Sequence, residues 1–506
     1  MSITIDSISP DKIRVKEAFK RLIPANLAGP GLSERPRGKF GAVADYSVDP
    51  LTYELLTQAD FMREYDVNSH NINSMKYYPN PISKDSNNKL YQKIKSRVAV
   101  GFQARIHTKR LTALIGNNVS HRLVRGAKNG AGAQDWLADF REGWEDKNIE
   151  VAIHEALSSD GKTGDCAICF YLSRNKVGWR TFSYEKGDIL YPHYDRMTGE
   201  LSLFGREYAE DDENGERVTY LDVWDDTSYI RYRKSLKDGK EQDWQIDEPR
   251  RPHNFQECPI AYHRYGGPFW APSQSLIENY EIAISQFCEN NAAYALRILY
   301  TIGQDMEVVP NLDGTPQRID SSDPNAKIGY LEPANAAQSF TEQLNILEKD
   351  IMRGSFAVET PEIKSGSDMS SLTVKMLFAD SYLKALEDAM NYQVFLDRAT
   401  ALFKYGYGIE RQRSSDYNRF SVKAELLPFV FMSESETINS IVQLTGVGVL
   451  SKQTATEIAY NSGYGTADEW DRVINEAHEE YVGQQNEQAQ KKQDTNVISN
   501  LRLDQE

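Results

Sequence analysis

The strongest constraint on this chain is a pair of long helical stretches enclosing a short strand-like excursion. Residues Pro272 to Tyr300 (PSQSLIENYEIAISQFCENNAAYALRILY) read as one helix. Leu276, Tyr280, Ile284, Phe287 and Leu296 form its apolar stripe, and Ser275 with Glu278 has the spacing of a capping box. Thr301 to Pro333 is short and strand-like, with Asp313-Gly314 as a hairpin turn. A second helix runs from Ala336 to Gly354, where Phe340, Leu344, Leu347 and Ile351 recur at 4-3-4 spacing. That spacing is the seam of a helix packed lengthwise on another. Residues 272–356 are therefore predicted to fold as an out-and-back stalk with a compact tip.

The flanks must supply the body that carries such a stalk. Upstream, Pro50–Glu64 has helical spacing and Pro24–Arg37 reads as an exposed arm. Ala133–His154 predicts a helix bearing Trp136, Leu137, Phe140, Trp144, Ile149 and Ile153. Gly164 to Gln245 reads as a β meander with turns at Asn175-Lys176, Thr198-Gly199, Asn214-Gly215 and Asp238-Gly239. Downstream, the spacing predicts a third long helix over Leu372–Phe403 and strand character over Arg419–Met432. A shorter helix over Glu434–Leu444 follows, then a helical, Gln-rich C-terminus from Ala467. The fold class is α+β.

Chemistry-bearing patterns are sparse. The sequence contains no phosphate-binding glycine loop, nucleophile elbow or H-E-x-x-H. Its 8 histidines show no metal-ligand spacing, and packing roles are expected for His193 and His263. Cys166 and Cys169 form a C-x-x-C, but inside a strand. Positions i and i+3 of a strand face opposite sides, so the two sulfurs should diverge. The acidic run Glu210–Glu213 lacks the alternating ligands of a calcium loop. No membrane-length apolar run or secretory leader is present, which predicts a soluble product made in a cytoplasm.

The order of the segments resembles tailed-bacteriophage portal proteins of the wing, stem, clip and crown type, over about Asp49 to Tyr481. KSRVAVGFQARIHTKRLTALIG (Lys95–Gly116) resembles the start of that family's wing. Trp144–Ser173 resembles its helix, glycine turn and strand. PIAYHRYGGPFWAPSQSLIENYEIAISQFCENNA (Pro259–Ala292) is similar to the passage into the first stem helix. SGSDMSSLTVKMLFADSYL (Ser365–Leu383) is similar to the loop and long helix beyond the stem, although polar Ser367-Asp368 stands where many relatives are aliphatic. AELLPFVFMSESETINSIVQLTGVGVLSKQTATE resembles the wing-to-crown segment.

The resemblance implies a mixed α/β wing (1–271), stem helix 1 (272–299), a small α/β clip (300–335) and stem helix 2 (336–358). A tunnel loop (359–371), a long helix with the rest of the wing (372–466), and a helical crown and tail (467–506) would follow. Leu276, Tyr280, Ile284, Phe340, Leu344, Leu347 and Ile351 would pack the stem. Glu359, Thr360, Pro361, Glu362, Ile363, Lys364, Ser365, Gly366 and Ser367 would face DNA.

It further implies a homo-oligomeric ring, usually a dodecamer, at the unique capsid vertex of a virion assembled in the host bacterial cytoplasm. Its partners would be the terminase large subunit, a head-completion adaptor, the major capsid and scaffolding proteins, and double-stranded DNA passing non-specifically. No membrane, catalytic residue, cofactor or metal is implied.

The formal net charge of −16 (58 Lys+Arg against 74 Asp+Glu) accords with a channel that lets DNA slide. Each phosphate neutralised by Lys or Arg adds affinity through counterion release, and an acidic wall limits such contacts. Two alternatives compete: another virion component such as an adaptor or baseplate protein, and a carboxylate-based phage enzyme. The first predicts no helix pair around a β tip, and the second a closed pocket.

Overall fold

A computed structural model describes residues 10, 22–23, 54–84, 90–92, 94–124, 132–195, 197–211, 215–237, 240–295, 298–302, 327–331, 337–357, 378–428, 434–461 and 473–474. The chain forms two compact units, residues 1–361 with 380–429 and residues 362–379 with 430–506.

The first unit opens with the small strand pair β1 (Leu22–Ile23) and β2 (Glu54–Leu55) and helix α1 (Gln58–Tyr65). The helix expected from Pro50 thus starts later. The backbone at 54–55 is extended, and Thr57 with Asp60 forms a capping box that fixes the first turn. A second pair, β3 (Ile82–Lys84) and β4 (Leu90–Gln92), leads to α2 (Phe102–Ile115), β5 (Ser120–Leu123), α3 (Ala133–Asp146) and α4 (Ile149–Thr163). The single helix expected over Ala133–His154 is therefore two. Asn148 takes a left-handed conformation (φ 53°), which Asn tolerates better than most residues, and Trp179 Nε1 donates to the freed Lys147 carbonyl at 2.7 Å.

The predicted meander is present but divides between two sheets. β6 (Asp165–Ser173) and β7 (Lys176–Phe182) join β14 (Ile260–Arg264) in the order β14-β6-β7. β8 (Ile189–Tyr194), β9 (Leu201–Asp211), β10 (Arg217–Trp224), β11 (Ser228–Lys237) and β12 (Lys240–Glu241) form the second sheet, with β13 (Gln245–Pro252) also on β11. The β6–β7 hairpin turns through Arg174 and Asn175, both at positive φ.

The three-stranded sheet is the middle layer, and β6 shows why. Cys166, Ile168 and Phe170 enter the large core shared with α2, α3 and α4. Ala167 and Cys169 face the other way, into a core with Leu190, Phe204 and Trp224 of the larger sheet. The two cysteine sulfurs therefore lie in different cores, as strand alternation requires, and both thiols are free.

The core is closed by α7 (Ala379–Glu410), which follows α5 (Gln274–Ala295), β15 (Ile298–Ile302), β16 (Lys327–Leu331) and α6 (Ala337–Gly354). Tyr392, Phe395, Leu396, Ala399 and Phe403 of α7 are buried, and Phe403 lies 5.4 Å from Trp144 and 5.6 Å from Phe140. Gly161 of α4 is obligatory here, because a Cβ would stand 2.5 Å from the Phe269 ring. Helix α8 (Ser414–Arg419) and β17 (Val422–Glu425), paired with β5, complete this unit. The strand expected over 419–432 is shorter: Arg419 ends α8, only Val422–Glu425 is strand, and 426–428 have no regular structure.

The second unit contains α9 (Glu434–Gly446) and α10 (Lys452–Asn461). Gly448 at φ 75° turns the chain between them, and Ser451 Oγ accepts from Thr454 N at the start of α10. The C-terminal helix expected from Ala467 lies outside the described residues except for 473–474.

Candidate functional site

The two predicted long helices form an antiparallel pair, but the first is helical over Gln274–Ala295, and Ile298–Tyr300, expected at its end, belong to strand β15. α5 is about 33 Å long and α6 about 27 Å at 1.5 Å per residue. Near the body, Ser273 Oγ donates to the Ile351 carbonyl at 2.9 Å. Further out, the Phe287 and Phe340 rings meet at a tilt of 44°, with centroids 5.5 Å apart. Beyond the helices, β15 and β16 pair antiparallel from Ile298↔Leu331 to Ile302↔Lys327.

Ile351 is fully buried in the main core, whereas Phe340, Leu344, Leu347 and Ile284 are half-buried along the pair. Leu276 and Tyr280 pack against the body, Tyr280 edge-to-face on Phe102 at 5.1 Å. The expected capping box of Ser275 and Glu278 is not formed. α5 begins at Gln274, after a single 3₁₀ turn at Ala271–Ser273, so Ser275 is already helical. Its carbonyl accepts from Asn279, and Glu278 is drawn to Asn71 and Gln274 instead.

The joint between stalk and body is polar. Glu281 of α5, 1% exposed, accepts from His70 Nδ1 at 2.6 Å and from Val100 N at 2.8 Å. One turn on, Ser285 Oγ accepts from Val98 N at 2.9 Å. Glu278 accepts from Asn71 Nδ2 at 2.8 Å, Gln103 Nε2 donates to Gln274 Oε1, and Trp270 Nε1 donates to Glu64. Burial alone would lower the His70 pKa, but the hydrogen bond and charge of Glu281, with Glu64 behind, raise it.

Two further buried polar groups support the frame. Arg206 (β9), Asp222 (β10), Arg231 (β11) and Glu248 (β13) lie in cross-strand register. They alternate in charge at 3.4, 2.7 and 2.7 Å, and Asp188 closes the row on Arg206. In the main core, Arg110 of α2 meets Asp388 of α7 at 2.5 Å and Tyr265 at 3.0 Å.

A third group is the nearest thing to a carboxylate pair. Asp160 accepts from His263 Nδ1 at 2.6 Å and from Tyr265 N. Asp165 accepts from Gln58 Nε2 at 2.5 Å and from the Tyr262 hydroxyl. Burial, then the charge of Asp160, pushes Asp165 up to about 8. Asp160 is wholly buried and Asp165 nearly so, which gives the pair no access to a substrate. Neither carboxylate stands out among 74 acidic residues in the sequence. Their signal is only the flanking helix-to-strand step at Thr163-Gly164. His193 is exposed on β8. Among the described residues no group of His, Cys, Asp and Glu is placed to hold a metal ion, and no helix is long and apolar enough to cross a membrane.

The residues expected to face DNA, Glu359 to Ser367, lie outside the described residues, as does most of 300–335 and of 467–506. The comparison with curated proteins gives no match. A family model described as phage portal protein, SPP1 Gp6-like, matches residues 55–479 and so spans the body, both stalk helices, the long helix α7 and the α9–α10 pair. The chain therefore belongs to the SPP1 Gp6-like family of phage portal proteins, whose role is at the capsid vertex, as a ring-forming connector of head and tail.

Proposed function

We propose that twelve copies of this chain surround a channel through which double-stranded DNA is packaged and later ejected. In this reading α5 and α6 are the stem, and residues 300–335 form the clip that docks the terminase large subunit during filling and a head-completion adaptor afterwards. The major capsid and scaffolding proteins surround the ring, which is built in the host bacterial cytoplasm. The observation that carries the reading is the antiparallel α5–α6 stalk with a strand pair beyond it, in a chain of portal family.

The channel would hold DNA weakly, because the duplex must move both ways. A net charge of −16 per chain repels phosphate, leaving a few cations as contacts. In this reading the loop over 359–371 faces the channel, and Lys364 makes such a contact. Negative-stain images of purified protein should show rings with a central hole and native mass spectrometry a dodecamer. Monomers alone would overturn the proposal. In a packaging reaction with terminase, Lys364→Glu should leave rings intact and reduce packaged or retained DNA, and unchanged packaging would remove Lys364 from the channel.

A further inference from the structure

Three buried carboxylates meet at the base of α5. Glu278 and Glu281 come from α5 and Glu64 from α1. All three line a cavity of about 10 Å³, large enough for a single water. Carboxylates gathered in one buried place repel one another unless cations stand among them. Two residues lining the cavity can carry positive charge, Arg63 and His70. Arg63 is paired with Asp60 at 3.0 Å and its side chain is 39% exposed, whereas His70 lies wholly inside.

The surroundings of the His70 ring decide what its proton does. Nδ1 donates to Glu281 at 2.6 Å, and Nε2 is buried with no hydrogen-bond partner among the described residues. A neutral ring that donates from Nδ1 leaves Nε2 a bare acceptor in a cavity walled by acceptors. An imidazolium turns that nitrogen into a second donor. The other charged groups nearby are engaged elsewhere. Asp66 accepts from Asn68 and Ser69, Lys95 lies over the Tyr78 ring, and Arg97 donates to the Ile72 carbonyl and to Asn80.

We propose that His70 is a proton-operated latch: as imidazolium it holds the base of α5 on the body, and loss of its proton to solvent loosens that joint. Deprotonation keeps the Nδ1 hydrogen bond to Glu281 but removes the charge that strengthens it. It also leaves Glu64, Glu278 and Glu281 with one cation fewer. Burial favours the neutral ring, but the hydrogen bond and charge of Glu281 outweigh it and raise the His70 pKa above its ordinary 6.5. The joint's stabilisation is therefore whole below pH 6.5 and is lost as pH rises through the folded value. The stalk helix would be gripped in mild acid and released in mild base. The latch belongs to a single subunit, so it stands or falls apart from the ring.

The test is hydrogen–deuterium exchange of the full chain from about pH 6 to pH 9, read as protection factors, which remove the intrinsic pH dependence of exchange. In the parent, protection of residues 277–285 should fall as pH rises, by up to about tenfold per pH unit. Tyr392–Phe403 of α7 serves as the control for changes in the whole unit. His70→Gln keeps a donor but cannot be charged, so its 277–285 protection should be low at the acid end and flat across the range. Glu281→Gln removes the partner and one carboxylate and should flatten the profile as well. It also covers the case in which His70→Gln does not fold. A flat profile in the parent overturns the proposal. So does a slope that survives in either variant, or one that α7 shows equally in the parent.

Discussion

Asp165→Asn should make this protein more stable, by an amount that grows with pH. Asp165 sits between Gln58 and Tyr262, nearly buried, with Asp160 close by. Its carboxyl titrates at 3.8 in an unfolded chain and near 8 in the fold. Between those values the folded state keeps a proton that the unfolded state has released. The unfolded state binds fewer protons, so stability falls as pH rises, by about 1.4 kcal/mol per pH unit. The contribution is whole below pH 3.8 and is lost by the time pH passes about 8.

Asparagine has nearly the same shape, still accepts from Gln58, and cannot ionise. The variant should exceed the parent by about 2 kcal/mol at pH 5 and by on the order of 5 kcal/mol at pH 9. Urea denaturation at fixed intervals across pH 5–9, under conditions that keep the subunit dissociated, measures the gap directly. A gap that stays constant across this range would refute the reasoning, because a packing change has no pH slope.

The other expectations concern different joints. Asp222→Ala removes the centre of the charge row and leaves Arg206 buried with only Asp188, which should cost about 3 kcal/mol in urea denaturation. His107 and His121 are held neutral by burial down to about pH 4, so stability present above pH 6.5 drains away as pH falls toward 4. His121→Phe, placed beside Trp144 and Phe140, should flatten that acid limb in thermal melts across pH 4–7. Leu347→Asp puts a charge on the half-buried α6 seam and should cost about 2 kcal/mol with loss of rings in native mass spectrometry; intact rings would show the seam to be dispensable.

Features set by local periodicity were legible in the sequence; features set by distant partners were not. The 4-3-4 spacing of Phe340, Leu344, Leu347 and Ile351 located α6 to within a residue at its start, and the C-x-x-C separated as strand geometry demands. By contrast α2 (FQARIHTKRLTALI) carries His107 and Arg110 on its buried side, which blurs any apolar stripe. Arg110 is tolerated there because Asp388, 278 residues away, neutralises it, and no local pattern announces such a partner. The same reason hid Asp160 and His263, 103 residues apart. Ser275 and Glu278 had the right spacing for a cap but lost to tertiary competition, since Asn71 and Gln274 claimed the carboxylate. The helix pair was thus readable, whereas the chemistry of its joint to the body was not.

That joint has a mechanical consequence. Apolar packing alone resists separation of two elements but resists sliding poorly, because dispersion contacts are non-directional. Hydrogen bonds weaken steeply away from good alignment. Glu281 receives donors from two separate segments, His70 and Val100, while Ser285 one turn further receives Val98. Three bonds spread along one face of α5 fix both its rotation and its axial position against the body. In the proposed ring, α5–α6 pairs around a common hole would have to share one angle, since an error in each would add up around the ring. A polar joint at the base of α5 supplies that angle where an all-leucine contact would leave it loose.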